Sequence, residues 1–465
     1  MAKQEAYHLH PAGWENDPEE ERFRFSTLDY LTACSFSNYA LFFKLDDGAK
    51  QNAVDVLKAG LQQTLSQVRH LCGTIEKDPN GGHSFVKRKE STVHLFVQWL
   101  DGVGEDYPTF DHIEESHFRG TALGDLSLWS VSPMTYGQTP EAHPDSSPVV
   151  AAFKANFIRG GLVFNMHHHH YANDVMGWTG FTHQLAENCN AIFTNPAFPK
   201  WDPACLDLSR ITKQEPPEEA KVAGPAPAEH PPNHRSEVSL LFHLPASKAA
   251  ELKKLATPTD GSWVSTYDAF SAFIWRILSR LRAPIFKLDM SSHLFWSENV
   301  DMRRRLQSPK CPPRTRGNVL SGAISNIALL ASYIRKLTNS VTQESLDQQL
   351  DSVATIRDKT ALCVRLHSYP PLTIIQTDHR DANVNVADFG FATPVTYRNL
   401  CDDITQGVMY IYPPRLGLGS DEGCEFSIAY EKHLARELIE DPEWNKFFEY
   451  RGVDCVNARD GAENE

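Results

Sequence analysis

A proline-rich stretch near the middle of the chain limits the folds that this sequence can adopt. Residues 213–235 contain six prolines, interleaved with glutamate, alanine and lysine. Proline lacks the backbone N–H that helices and central strands need, so this stretch cannot pack as either element. It divides the 465 residues almost in half. We therefore predict a crossover linker over 213–235 that joins an N-terminal domain, residues 1–212, to a C-terminal domain, residues 236–465.

Both halves alternate strand-like and helix-like segments. In the first half, Pro148–Ile158 is strongly β-like, and Gly160 permits a tight reversal into the apolar run Leu162–Met166, which predicts a hairpin. In the second half, Ser265 offers an N-cap for a largely buried helix over Tyr267–Arg282. Strands, hairpins and helices in alternation predict a mixed α/β fold.

Three segments near the C-terminus are also predicted from their patterns. Val386–Phe391 and Val408–Tyr412 are short apolar runs that favour strands. Asp441–Tyr450 favours a short terminal helix.

Composition and charge narrow the classes of function. A formal net charge of −14 disfavours general binding to nucleic acid or anionic membranes, but leaves room for one local basic pocket. No apolar run approaches the length of a bilayer, and the N-terminus lacks the apolar core of a secretory signal. The nine cysteines are scattered without a C-x-x-C pair, which argues against a disulfide framework. We predict a soluble, cytoplasmic protein.

Four consecutive histidines, His167 to His170, lie between the apolar run and a helical pattern that includes Trp178. Strand residues alternate between faces, so His168 and His170 share one side. A metal site needs three or four converging ligands, and no second cluster of histidine, cysteine and carboxylate stands out. We therefore predict no metal site, and we expect His167 and His168 to lie in the core or at its rim.

His170 differs from its neighbours because Asp174 follows four residues later, and Gly177 three residues after that. An imidazole titrates near neutrality and can take a proton from a hydroxyl while that oxygen attacks an acyl carbon. A His-x-x-x-Asp pattern alone is a weak signal, because it occurs by chance in many proteins. The rest of the sequence must support a catalytic role.

That support comes from Asp388-Phe389-Gly390 towards the C-terminus. Together with His170 and Asp174, this segment resembles the BAHD superfamily of CoA-dependent acyltransferases, whose hallmarks are HxxxD followed by DFGWG. Further stretches are similar to that family, and some to its fungal branch typified by trichothecene 3-O-acetyltransferase: Tyr39–Cys72, Asn156–Leu162, Asp174–Gly177, Ser265–Arg276, Val300–Arg303 and Gly317-Asn318.

The resemblance implies an acyl-CoA-dependent O-acyltransferase that acetylates a hydroxyl of a secondary metabolite, with acetyl-CoA as co-substrate and no bound cofactor. It implies that His170 is the general base. It also implies that Asp174 points away from the substrate and pairs with an arginine, here Arg303. Four positions are implied to shape the domain junction and the CoA channel without taking part in the chemistry: Gly177, Arg303, Asp388 and Gly390.

The resemblance also implies the architecture. Two chloramphenicol-acetyltransferase-like α/β domains would enclose a channel at their interface, and a segment near 388–406 would return to the first domain. Acyl-CoA would enter the channel from one side and a small-molecule alcohol from the other, with His170 midway. A monomer without nucleic-acid or membrane partners is expected.

Two departures from the family pattern affect the site. Phe391-Ala392 replaces Trp-Gly, so the shape of the channel differs. Thr377-Asp378-His379 stands where relatives carry Thr-Ser-Trp. In relatives a hydroxyl at the Thr377 position supports the oxyanion, which the resemblance carries over to Thr377, whereas His379 changes the packing around the acceptor.

The densest basic stretch of this acidic chain runs from Arg303 to Arg316. One interpretation is a solvated loop with a single structural arginine. The other is an electropositive mouth in which Arg314 and Arg316 attract the phosphates of CoA. Both interpretations stay open from the sequence.

Two alternative functions remain. His169-His170-x-x-x-Asp174 also resembles the HHxxxD motif of non-ribosomal peptide condensation domains, which share this fold, although no adjoining carrier-protein motif is present. The chain would then be a free-standing amide-forming or carrier-dependent enzyme. The second alternative is a degenerate acyltransferase fold with a binding or other role, which the altered DFGWG motif and His379 leave open.

Overall fold

The computed structural model describes residues 2–132, 134, 142–226, 235–260, 262–287, 295–325, 331–362 and 372–457. The strands in these ranges are β1 (Lys3–Leu9), β2 (Glu20–Arg24), β3 (Phe36–Lys44), β4 (Thr74–Lys77), β5 (His83–Arg88), β6 (Val93–Leu100), β7 (Ala151–Ile158), β8 (Gly161–His169), β9 (Glu237–Leu244), β10 (Trp296–Asp301), β11 (Leu320–Ser325), β12 (Ile374–Asp378), β13 (Thr396–Asn399), β14 (Val408–Ile411), β15 (Cys424–Glu431) and β16 (Glu449–Val456). The α-helices there are α1 (Lys50–Gln67), α2 (Phe110–Glu115), α3 (Leu126–Trp129), α4 (Val175–Thr194), α5 (Ala246–Ala256), α6 (Thr266–Phe286), α7 (Ala331–Ser340), α8 (Gln343–Ala354) and α9 (Ala435–Glu440). The predicted α/β class is confirmed.

The first sheet has the strand order β1-β6-β7-β8-β3-β13. Its β7–β8 hairpin turns at Gly160, whose φ of 75° is open to glycine at no steric cost. Every residue of β7 and β8 is buried. The reason is that α1 and α4 cover one face of the sheet, while a second apolar cluster with Phe42, Trp129 and Val163 covers the other. Strands covered on both faces are rich in apolar residues, as the first part of β8 is. Asn165 and the three histidines that end the strand are buried polar residues.

The second sheet has the order β11-β10-β12-β14-β15-β9-β16. Strands β10, β12 and β14 run parallel to one another, and the other pairs are antiparallel. Helix α6 packs against this sheet through Phe270 and Ile274. It begins at Ser265, whose side chain accepts from the Asp268 N–H while the Asp268 carboxylate accepts from the Ser265 N–H. This reciprocal cap accounts for the start of the helix.

One strand of the first sheet comes from the second half of the chain. In the antiparallel pair of β13 with β3, Thr396 lies opposite Phe42 and Asn399 opposite Tyr39. This strand lies inside the segment near 388–406 that the sequence resemblance returns to the first domain. The two halves of the sequence therefore share a sheet.

The described part of the proline-rich stretch, residues 213–226, contains a short 3-10 turn at Glu218–Ala220 and an isolated bridge from Val222 to Ile356. Its Lys213 N–H donates to Thr27 Oγ1 at 2.9 Å. The stretch therefore contacts segments from both halves of the chain.

Two predicted elements are wrong. Val386–Phe391 is not a strand, because the chain turns at Asp388 and again at Gly390, whose φ is 83°. Asp441–Tyr450 is not a helix, because the Asp441 carboxylate caps the short turn around Trp444, and β16 then begins. Within the described ranges, no helix has both the length and the apolarity to cross a bilayer.

Two glutamates face each other where β9 pairs with β15. Glu237 lies directly opposite Glu431, and both are almost fully buried. Arg282 donates from Nε to Glu431 Oε2 at 2.7 Å. Burial raises the pKa of Glu237 to about 8, against the influence of Arg282. One arginine therefore serves two buried carboxyl groups, and Glu237 is mainly protonated at pH 7.

Glu237→Gln is expected to stabilise the protein increasingly as the pH rises from about 4.5 to 8. The native state holds the Glu237 proton through this window whereas the unfolded chain loses it, so wild-type stability falls with rising pH by at most about 1.4 kcal/mol per pH unit. Urea unfolding of both proteins at pH 5, 6, 7 and 8 measures the difference. Glu440→Gln, at an exposed pair with Arg436, is the control. A constant gap between Glu237→Gln and wild type across the series would contradict the prediction.

Candidate active site

His170 lies at the end of β8, where the strand gives way to the turn before α4. Its N–H donates to the Ser35 carbonyl at 2.8 Å, and its carbonyl accepts from Asn318 Nδ2 at 3.0 Å. The side chain is half-buried. Burial lowers the pKa of His170, and its own carbonyl and the Asp174 charge oppose that fall. The imidazole is therefore mostly neutral at pH 7 and can accept a proton.

The side chains of His167, His168 and His169 are buried inside the protein. His167 Nε2 accepts from the Val131 N–H at 3.0 Å, and His169 Nε2 lies 2.7 Å from the Ala142 carbonyl. Burial lowers the pKa of His167 and of His168 to about 3, and that of His169 to about 4. Among the described residues, no group of three or more metal-ligating side chains converges. Only His170 of the four keeps access to solvent.

Asp174 is the N-cap of α4, and its carboxylate is fully occupied by hydrogen bonds. It accepts from the Gly177 N–H at 2.7 Å and from the Val319 N–H at 2.9 Å. Arg303 donates to both of its oxygens, each at 2.9 Å. The two side chains that the sequence resemblance pairs are thus in contact. A carboxylate that accepts four hydrogen bonds in this way holds the turn before α4 in one geometry.

The loop of the second half that carries Arg303 also holds the backbone around His170. Asn318 donates from Nδ2 to the carbonyls of His170 and Tyr171, each at 3.0 Å, and to Asp29 Oδ1 at 2.9 Å. This role was missed from the sequence, although Gly317-Asn318 was a family-like stretch. Asn318 therefore fixes the position of His170 from outside its own sheet.

Gly177 lies where α4 meets this loop. A Cβ there would be 2.6 Å from Asn173 Oδ1 and 2.8 Å from the Gly317 carbonyl oxygen. Such distances are shorter than real Cβ contacts. Glycine is therefore required for the close approach of the helix to the loop.

The Asp388-Phe389-Gly390 segment forms a turn at the edge of the first core. Asp388 Oδ1 accepts from the Gly390 N–H at 2.8 Å, and Phe389 packs edge-on against Phe43. A Cβ on Gly390 would lie 2.6 Å from Phe193 Cβ. The Asp388 side chain is exposed. These contacts form a turn. Among the described residues around it, none would pair with the Asp388 carboxylate in a catalytic step.

Thr377 and His379 lie at the end of β12. Thr377 Oγ1 is 3.1 Å from His379 Nε2. Burial lowers the pKa of His379 to about 4, and Asp378 opposes that fall. His170 and Asp174 also influence this pKa. The His379 ring centroid lies 6.2 Å from that of Tyr39 on β3, so the end of β12 lies against the first sheet.

Arg314 and Arg316 differ in exposure. Arg314 is exposed and donates both amino groups to Glu187, at 2.9 and 2.5 Å. Arg316 is 2% exposed, donates to the Gly177 carbonyl at 3.3 Å, and has its pKa lowered by burial to about 10. Arg316 therefore does not reach the surface, where one of the two interpretations of the basic stretch placed it, because it packs under α4.

Two family models match the chain. The model described as the trichothecene 3-O-acetyltransferase-like N-terminal domain matches residues 36–189. The model described as the Transferase family matches residues 129–443, which is more than half of the chain. The second match contains His170, Asp174, Arg303 and Asp388.

Curated relatives match along most of the chain. Acetyltransferase FGR3 of Gibberella zeae is 63% identical over 474 residues, which cover 98% of this chain and 95% of the relative. Trichothecene 3-O-acetyltransferase TRI101 of Fusarium sporotrichioides is 24% identical over 444 residues, which cover 90% of this chain and 94% of the relative.

Solved structures share the fold. The F. graminearum TRI101 complex with coenzyme A and T-2 mycotoxin has a TM-score of 0.75 at 21% identity, and covers 93% of this chain and 100% of its own. Vinorine synthase has a TM-score of 0.63 at 16% identity, with 93% and 95% covered. The first condensation domain of the calcium-dependent antibiotic synthetase has a TM-score of 0.50 at 14% identity, with 90% and 93% covered.

Proposed function

Because the chain belongs to the Transferase family of BAHD acyltransferases, we propose that it transfers an acetyl group from acetyl-CoA to a hydroxyl of a secondary metabolite. The observation that carries the proposal is the placement of His170. Its neutral, half-buried imidazole lies at the end of β8, on a backbone that Asn318 fixes from the second half of the chain. The relatives named as acetyltransferases, of which the F. sporotrichioides enzyme has been solved with coenzyme A, support this donor.

The proposed chemistry is direct transfer in a ternary complex. His170 takes the proton of the acceptor hydroxyl while that oxygen attacks the thioester carbonyl carbon. The new C–O bond gives a tetrahedral oxyanion, for which we propose Thr377 as a donor. Collapse breaks the C–S bond, and the CoA thiolate takes the proton back from His170. The imidazole ends in the state in which it began, so no other acid or base is needed.

Asp174 has a positioning role in this proposal. Its carboxylate accepts two hydrogen bonds from Arg303 and two from backbone N–H groups. It thereby holds the turn that aims His170, as does Gly177 through close packing. Asp388 and Gly390 form a separate turn, which we propose shapes the domain junction and the CoA channel. We propose that the two halves enclose a channel in which acetyl-CoA and the alcohol approach His170 from opposite sides.

The test is a turnover assay with the purified full chain, acetyl-CoA and a panel of secondary-metabolite alcohols. We expect free CoA thiol to appear only when an accepted alcohol is present, together with a product heavier by one acetyl group. A carrier-dependent condensation enzyme would release no thiol from acetyl-CoA. A binding-only fold would bind CoA without turnover. Either result across a broad panel would overturn the proposal.

The compartment, oligomeric state and partners of the enzyme are also proposed. We propose a cytoplasmic monomer whose partners are acetyl-CoA and a small alcohol, without nucleic acid or membrane. The net charge of −14 supports the exclusion of polyanionic partners.

Arg314 is proposed to contact the CoA phosphates. Arg314→Gln is expected to raise the KM for acetyl-CoA about fivefold with kcat unchanged, because one exposed charge contact contributes roughly 1 kcal/mol. Initial rates over a range of acetyl-CoA concentrations measure this. Glu187→Gln, which frees Arg314 from its present partner, is the matched variant and should leave this KM unchanged or lower. An unchanged KM in Arg314→Gln would remove Arg314 from the CoA site.

A further inference from the structure

The side chains of Thr377 and His379 are held together at the end of β12. His379 Nε2 lies 3.1 Å from Thr377 Oγ1. The backbone N–H of His379 donates to the Ile411 carbonyl at 2.8 Å, which fixes this residue against β14. The imidazole is 2% exposed, and its ring lies nearly parallel to that of Tyr397. In a close-packed environment the ring cannot leave the hydroxyl without displacing its neighbours.

This pair lies near the start of α4, the helix that follows His170. The His379 ring centroid is 6.2 Å from that of Tyr39, which in turn lies 4.3 Å from that of Trp178 in the first turn of α4. Burial is the largest cause of the low pKa of His379, at about 4, and Asp378 opposes it. At neutral pH the His379 ring is therefore uncharged and carries one proton, on either Nδ1 or Nε2.

The position of that proton decides what the Thr377 hydroxyl can do. With the proton on Nδ1, Nε2 accepts a hydrogen bond from the Thr377 hydroxyl, which then has no second proton to donate. With the proton on Nε2, His379 donates to Oγ1 and the hydroxyl proton is free to point elsewhere. Nδ1 is buried and has no partner among the described residues. An orphaned lone pair is tolerated better in a protein interior than an orphaned N–H, which favours the proton on Nε2.

We propose that His379 is a positioning residue, which donates from Nε2 to Thr377 Oγ1 and so directs the Thr377 hydroxyl proton at the thioester oxygen. The proposal rests on the acyl transfer proposed above. As the C–O bond forms, the oxyanion accepts from this hydroxyl, and the His379 donor polarises the hydroxyl further. The histidine that replaces the family's tryptophan would thus act on the acyl oxygen through Thr377.

A matched pair of variants tests the Nε2 donor. Gln and Asn carry the same amide, but only Gln reaches the position of His379 Nε2. We expect His379→Gln to keep kcat within about threefold of wild type, and His379→Asn to lower kcat about 10–100-fold. The KM for acetyl-CoA and the melting temperature should stay near the wild-type values in His379→Gln. Equal kcat in the two variants would overturn the proposal.

A double-mutant cycle separates positioning from general damage to the site. Thr377→Val removes the hydroxyl and is expected to lower kcat about 10²-fold. Adding His379→Asn to Thr377→Val should lower kcat no further, because His379 acts only through that hydroxyl. Adding it to Thr377→Ser, which keeps the hydroxyl, should reproduce the loss seen in the wild-type background. If His379→Asn lowered kcat by the same factor in the Thr377→Val background as in wild type, the proposal would be overturned.

The failure of this inference is distinguishable from failure of the acyltransferase function. If wild type releases thiol and His170→Ala does not, the function stands, and the Gln–Asn comparison alone decides the role of His379. If His379→Asn does not fold, His379→Gln still tests the inference, because a 10-fold or larger loss of kcat in that folded variant contradicts it.

Discussion

His170→Ala is expected to turn over about 10²–10⁴-fold more slowly than wild type, while its affinity for CoA stays the same. The variant loses the group that takes the acceptor proton, but keeps the loop that Asp174, Arg303 and Asn318 hold in place. Steady-state rates with acetyl-CoA and an accepted alcohol measure kcat. Calorimetric titration with CoA measures the affinity.

His170→Gln is the control for this result, because glutamine fills similar space and forms hydrogen bonds but is no base at neutral pH. It should lose activity to a similar degree. In wild type, activity should fall as the pH drops through the pKa of His170, which burial places below 6.5, since protonation removes the base. Near-wild-type turnover in His170→Ala would rule out the mechanism.

Asp174→Asn is expected to lower the free energy of unfolding by about 3–5 kcal/mol and to reduce activity as well. Arg303 is almost fully surrounded by protein, and the substitution leaves its charge without its main partner. The backbone turn at Gly177 and Val319 would then be held by a neutral amide oxygen. Denaturant unfolding and melting temperature measure the loss of stability.

The chain offers a matched control in an exposed pair with the same two-bond geometry. Glu187→Gln removes the partner of Arg314, where both side chains are about 40% exposed. Solvent screening limits such a pair to about 1 kcal/mol or less. An Asp174→Asn protein as stable as Glu187→Gln would show that the Arg303 pair does not hold the turn.

Segments with a local physical cause were predictable from the sequence. The β7–β8 hairpin follows from two apolar runs around a glycine, and α6 follows from its Ser265 cap and apolar stripe. Val386–Phe391 was predicted wrongly, since its apolar residues suggested a strand while Asp388 and Gly390 formed a turn. A local side-chain hydrogen bond of this kind competes with strand pairing.

The parts of the site that depend on distant segments were harder to predict. Family resemblance, and not residue spacing, suggested the contact of Asp174 with Arg303. Nothing in the local sequence indicated that Asn318 donates a hydrogen bond to the His170 carbonyl, or that Arg316 is buried under α4. A basic residue in a basic stretch is usually solvated. Only the packed structure distinguishes Arg314 from Arg316.

The strand that the second half contributes to the first sheet bears on how the polypeptide matures. Until β13 is synthesised and docked, the edge of β3 that faces away from β8 is unpaired, and most residues of this strand are apolar. Such a margin is a template for pairing with other chains. A fragment that ends at the proline-rich stretch would therefore be prone to self-association. The two halves would fold without such association only when they are produced as one continuous chain.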